Sequence, residues 1–151
     1  MLRTLLKREE SYAIHALINI IENPGTNAAE IAERLSMPPA FVAKVLRKLV
    51  KANYIDSKMG RSGGVNIAVD PKTISLLNVI ETISGPFVMD TCQVKKQCAT
   101  QERKGHCRLK RAWLEASLDI RKSLESVCIA DLSDQPKHQY RNELPPSPVQ
   151  N

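Results

Sequence analysis

Residues 39–69 read PAFVAKVLRKLVKANYIDSKMGRSGGVNIAV, and two periodicities meet inside them. In the first thirteen, Phe41, Val42, Val45, Leu46, Leu49 and Val50 recur at three- and four-residue steps, as on a helix with one apolar face. Lys44, Arg47, Lys48 and Lys51 fall on the other side, and Pro39 suits a first helical position, where no N–H is needed. Beyond Ala52 the texture changes. Residues 54–58 (YIDSK) and 65–69 (VNIAV) are short β-prone runs, the second alternating with period two. Between them MGRSGG forms a hairpin loop rich in turn glycine.

Upstream, Leu5, Leu6, Ala13, Ile14, Leu17, Ile18 and Ile21 predict a first helix over 5–21, ended by Asn23-Pro24-Gly25. Asn27, with Glu30 three residues on, makes a capping box for a short second helix carrying Ala28, Ile31, Ala32 and Leu35. Downstream, a fourth helix over 75–83 closes at Gly85-Pro86. Residues 86–106 read as irregular, a long helix runs over 109–127 with Cys128 on its last turn as a small apolar residue, and 129–132 adds a turn. Three short helices followed by a two-stranded hairpin is the order of a winged helix-turn-helix, in which the third helix enters the major groove and the wing lies against backbone. The expected fold is therefore mostly α: a winged helix-turn-helix over 1–86, a cysteine-rich loop over 87–108, a dimerisation helix over 109–132 and a disordered tail over 133–151. Leu109, Trp113, Ala116, Ile120, Leu124 and Val127 run down one side of the long helix, and a stripe of that length needs a partner, most simply the same helix of a second chain.

Composition agrees with one domain: 151 residues, 42% hydrophobic and only 4% aromatic, enough to bury a core of aliphatic side chains. No apolar run reaches the roughly 18–20 residues of a membrane span, and the N-terminus lacks the pattern of a secretory signal, so a cytoplasmic protein is expected. The net charge of +6 is concentrated. Residues 38–69 hold six basic side chains against Asp56, residues 95–111 hold seven against Glu102, and the rest of the chain is net acidic. Two basic stretches on such a body point to a polyanion-binding surface. A basic helix face alone would be satisfied by solvent. The wing decides for DNA, because Arg61 beside three glycines lets backbone approach a phosphate. The DNA-facing set is then Ala40, Lys44, Arg47, Lys48, Arg61, Ser62 and Gly63, with the methyls of Ala40 and Ala43 suited to thymine methyl groups in an A·T-rich palindrome. No nucleophile–base constellation or phosphate loop supports an enzyme.

Cys92, Cys98 and Cys107 are spaced Cys-x5-Cys-x8-Cys. Thiolates at such density serve soft metals, and the surrounding Lys95, Lys96, Arg103, Lys104, Arg108 and Lys110 favour the thiolate and offset the charge of an iron–sulfur cluster. The tight Cys pairs of zinc knuckles are missing, although His106 could complete a Cys3His zinc site and give a zinc-stabilised DNA-binding protein without a sensing cluster.

The element order, the segment 61–68 (RSGGVNIA), the run 74–86 (ISLLNVIETISGP), CRLK at 107–110 and IADL at 129–132 resemble the winged-helix regulators that include IscR, NsrR and RirA, over about residues 3–132. The resemblance implies a homodimer that binds a 2Fe–2S or 4Fe–4S cluster, 2Fe–2S favoured, and controls transcription, as a repressor, through its operator affinity. Nitric oxide, iron and redox state are the signals it implies. Cys92, Cys98 and Cys107 fall on the family's three cysteine positions, and CRLK looks closest to the nitric-oxide-sensing branch. Two departures stand out. The second gap is eight residues where five is common, and Lys110 occupies the position at which IscR-like members carry a histidine ligand. Other members take a ligand from the first helix of the partner subunit. The histidine position there corresponds to His15, and the carboxylate position falls on Ser11, next to Glu10.

Overall fold

The computed structural model describes residues 3–58, 60 and 63–133. Its elements are α1 (Arg8–Glu22), α2 (Ala28–Arg34), α3 (Pro39–Lys51), β1 (Ile55–Ser57), β2 (Val65–Ile67), α4 (Leu76–Ser84), α5 (Ala99–Lys104) and α6 (Arg108–Glu125), with 3-10 turns at Pro71–Thr73, Thr91–Gln93 and Ile129–Leu132. The fold is mostly helical with a small antiparallel sheet in which Ile55 faces Ile67 and Ser57 faces Val65.

Local chemistry sets most of the boundaries. α2 starts where expected: the Asn27 side chain accepts the Glu30 N–H at 3.0 Å and Glu30 Oε2 accepts the Asn27 N–H at 3.1 Å. Pro39 opens α3, and Ser75 caps α4 by accepting the Asn78 N–H. α1 begins three residues later than its apolar pattern suggests. Glu10 accepts the Lys7 N–H at 2.7 Å and fixes the first turn there, which leaves Leu5 exposed outside the helix. Cys128 lies beyond α6 rather than on its last turn. It is half-buried at the head of the final 3-10 turn, bridged in antiparallel fashion to Ser75.

The core is one cluster with α1 at its centre. Ala13, Leu17 and Ile20 meet Ile31 of α2, Val42, Val45 and Leu49 of α3, Val79 of α4 and Ile129 of the C-terminal turn. Ile55 and Val65 carry the core into the wing, so the hairpin is packed against the helices rather than hanging from them. Two backbone bonds tie it further: Gly25 N–H donates to Val65 O at 3.1 Å, and Val65 N–H donates to Thr26 O at 2.7 Å. Gly64 makes this approach possible, because a Cβ there would run into the Gly25 backbone. Arg34 bolts α2 to α1 by donating to Asn19 Oδ1 at 3.0 Å and to Thr26 Oγ1 at 3.3 Å. Among the described residues no helix is long and apolar enough to cross a membrane.

Candidate nucleic-acid interface and cysteine loop

With 3.6 residues per turn, the buried Val42, Val45, Leu46 and Leu49 define one side of α3, and Ala40, Lys44, Arg47 and Lys51 stand opposite, all exposed. One flank faces the wing across a groove of about 480 Å3 lined by Ala43, Arg47, Val50, Lys58, Gly60 and Gly63. Ala43 is half-buried there. Gly63 closes the hairpin turn, donating its N–H to Gly60 O at 2.9 Å in a position where a Cβ would strike the Lys58 and Gly60 carbonyl oxygens. Its small size is thus demanded by the turn itself. Arg61 and Ser62, expected at the wing tip, lie outside the described residues, as does the tail beyond Ser133.

The other flank of α3 is turned to α1. Phe41 and Tyr12 meet edge to face, with ring centroids 6.1 Å apart. Glu9 Oε1 is 3.1 Å from Lys48 Nζ and 3.4 Å from Lys44 Nζ. The Lys48 ammonium, and Lys44 after it, hold the Glu9 carboxyl below its ordinary pKa against the opposing effect of burial. Lys48 Nζ also donates to Ile83 O of α4 at 2.9 Å. This departs from the expectation that Lys48 neutralises a DNA phosphate: its ammonium is held between α1 and α4.

The cysteine loop is more ordered than its sequence suggests. Asp90 accepts the Cys92 N–H at 2.7 Å and starts the 3-10 turn, Cys98 heads α5, and Cys107 heads α6, where its Sγ accepts the Lys110 N–H at 3.4 Å. All three thiols are half-buried and free. Their environments differ. The Asp90 carboxylate, helped by burial and by the charges of Cys107 and Cys98, pushes the Cys92 thiol up. The Gln101 and Thr100 N–H groups hold the Cys98 thiol below its ordinary range, with Lys110 adding to the effect. Among the described residues no group of three or more His, Cys, Asp or Glu is gathered closely enough to hold a metal ion within one protomer. The donor chemistry fits a soft-metal cluster, with thiols at the heads of helical turns in a basic loop. His106, the alternative zinc donor, is exposed with Nδ1 3.0 Å from Lys104 O. His15 is exposed on the outer face of α1.

The loop is hung from α6 by polar groups that the sequence reading missed. Ser117 is the one fully buried residue of α6. Its hydroxyl accepts the Met89 N–H at 3.0 Å and donates to Gln93 Oε1 at 3.1 Å, and Gln93 Oε1 also accepts from Met89 N. One turn on, Arg121 pairs with Glu81 of α4, whose Oε1 accepts the Phe87 N–H at 2.9 Å. The available signal was slight, a serine set between Ala116 and Leu118. The expected stripe of Trp113, Ala116, Ile120, Leu124 and Val127 is half-buried, and Leu109, Leu114 and Leu118 are at least half exposed.

Comparison with known proteins gives consistent findings. The family model Rrf2, described as an iron-dependent transcriptional regulator, matches residues 6–135. The HTH-type transcriptional regulator NsrR of Bacillus subtilis is 29% identical over 126 residues, covering 80% of this chain and 84% of that protein. Among solved structures, CymR, the global cysteine regulator of B. subtilis, matches with a TM-score of 0.67 at 18% identity, covering 88% of this chain and 97% of its own. IscR of T. potens matches with a TM-score of 0.66 at 21% identity, covering 87% and 85%. At such identities these two likenesses speak for the winged-helix fold alone.

Proposed function

The chain belongs to the Rrf2 family of transcriptional regulators, and we propose that it acts as a homodimeric repressor whose operator affinity is set by an iron–sulfur cluster held on Cys92, Cys98 and Cys107. The observation that carries this reading is shared attachment: the loop bearing the three thiols and the long helix α6 meet at Met89, Gln93 and Ser117. Whatever tightens or loosens that loop bears directly on the helix that joins two DNA-binding units.

Each protomer presents α3 to one major groove, Lys44 and Arg47 toward phosphates and the methyls of Ala40 and Ala43 toward bases, with Arg61, Ser62 and Gly63 of the wing on flanking backbone. Pairing of α6 with its copy makes the operator palindromic. The basic side chains of 95–111 offset the negative charge of the cluster. When bound, the cluster supplies a centre sensitive to nitric oxide, iron supply or redox state, with 2Fe–2S favoured over 4Fe–4S. The partner subunit's His15 would complete the ligand set, consistent with an exposed imidazole and with three thiols that do not close a site alone.

Absorption of anaerobically purified protein tests this. Thiolate-ligated clusters colour a protein between roughly 300 and 500 nm, and replacing Cys92, Cys98 or Cys107 by Ala should each remove the bands, whereas Cys128→Ala should keep them. A colourless, zinc-containing protein, or equal colour in Cys107→Ala, refutes the assignment.

A further inference from the structure

The two lysines that meet Glu9 are not equivalent. Lys48 is about two-thirds covered and also donates to Ile83 O at 2.9 Å, so it is a strut between helices. Lys44 keeps 53% of its side chain exposed, sits 3.4 Å from the same carboxylate oxygen, and stands with Ala40 and Arg47 on the side of α3 opposite the core. Glu9 Oε1 itself is buried and makes no well-angled hydrogen bond among the described residues. It is a carboxylate oxygen satisfied by two cations, one of which any approaching anion also sees.

We infer that Glu9 tempers DNA binding as an internal counter-anion that competes with backbone phosphates for Lys44 and so weakens sequence-independent association. The inference rests on the reading of α3 as the DNA-facing helix. Affinity for arbitrary duplex comes from cations that neutralise phosphates and release the counterions condensed on them. A lysine already neutralised by a carboxylate contributes little to that term. For Lys44 to serve a phosphate it must leave Glu9, and the buried oxygen is then left with Lys48 alone while a second anion stands close by. Contacts from Ala40 and Arg47 do not carry this cost. The carboxylate therefore lowers the phosphate term, which supplies essentially all of the affinity for arbitrary duplex, and leaves base readout untouched. Lys48 keeps the arrangement in place by fixing Glu9 where Lys44 has to meet it.

The test is a salt titration of the full chain against a labelled random-sequence duplex. Glu9→Gln should bind it more tightly and steepen the slope of log affinity against log salt by about 0.9 for each further phosphate neutralised, once per protomer. Lys44→Ala should abolish that increase in the Glu9→Gln background, while in the parent it should change the slope by less than Arg47→Ala does. Unchanged affinity and slope in Glu9→Gln overturn the inference. So does a parent in which Lys44→Ala costs as much as Arg47→Ala, a comparison that stands even where Glu9→Gln fails to fold. A parent indifferent to Arg47→Ala overturns the reading of α3 and this inference with it.

Discussion

Gly64→Ala puts a methyl group where the wing crosses the loop between α1 and α2. The new Cβ would lie 2.6 Å from the Gly25 carbonyl carbon and 3.0 Å from its Cα, with the carbonyl oxygen closer still. All are backbone atoms, so no side chain can swing aside. Ordinary carbon contacts need about 3.5–4.0 Å, so strand and loop must part by about 1 Å. That is enough to break both hydrogen bonds between them, Val65 N–H to Thr26 O at 2.7 Å and Gly25 N–H to Val65 O at 3.1 Å. At about 1 kcal/mol net for each bond, the loss is about 2 kcal/mol. Val65 is 6% exposed, and partly reopening its site adds about 1 kcal/mol. The expected cost is thus about 3 kcal/mol, read as a drop in urea midpoint of about 1–2 M at fixed protein concentration and unchanged slope. Gly60→Ala is the comparator. A Cβ there meets nothing within 4 Å, so its cost is the strain of a φ of +123°. If Gly64→Ala costs no more than Gly60→Ala, the close approach of wing and loop has been given a weight it does not carry.

Arg47→Ala and Arg61→Ala should each weaken operator binding and flatten its salt dependence by about 0.9 per phosphate, twice over in a symmetric dimer; titrations at several salt concentrations decide it. Glu81→Gln should flatten the acid limb of stability. Burial opposes ionisation of Glu81, but the Phe87 N–H and Arg121 together hold its carboxyl below the ordinary value. A carboxyl depressed in the folded state adds stability above its unfolded pKa and loses it as pH falls through the folded one, so parent and variant should converge in strongly acidic urea melts. Ile129→Ala, at a fully buried site under α1, should cost about 2–5 kcal/mol in the same assay, with a much smaller loss indicating that the C-terminal turn is not part of the core.

The DNA-binding half was legible because its signals are local. The box at Asn27 and Glu30, the proline at the head of α3 and the glycine loop between two β-prone runs each fix backbone within a few residues. The misses have equally definite causes. Leu5 and Leu6 sit at helical spacing from the apolar positions of α1, yet the Lys7–Glu10 cap starts the helix after them. α5 was missed because ATQERK has no apolar face. Its signal was compositional, a run of good helix formers closed by Gly105 at a φ of +73°. The position of Lys48 could not be read at all. Its place on α3 follows from periodicity, but what stands beside it is Glu9 of another helix and Ile83 O of a third. The cysteine spacing suggested a metal-binding chemistry, while Ser117 and Gln93, which hang the loop from α6, are ordinary polar residues until the chain is folded.

A helix of eighteen residues whose one fully buried side chain is a serine, and whose apolar stripe is only half-covered, draws limited support from its own protomer. In the proposed dimer α6 is ordered by its copy, and its helicity then becomes a function of concentration: dilution should melt it before it touches the core around α1. The cysteine loop, fastened to α6 through Ser117, would loosen along with it. In that dimer the abundance of the protein would enter its own response. Below the dissociation constant of the proposed dimer a protomer would lose its partner in DNA binding and also the support of its cysteines, so copy number would act as an input beside the chemical signal.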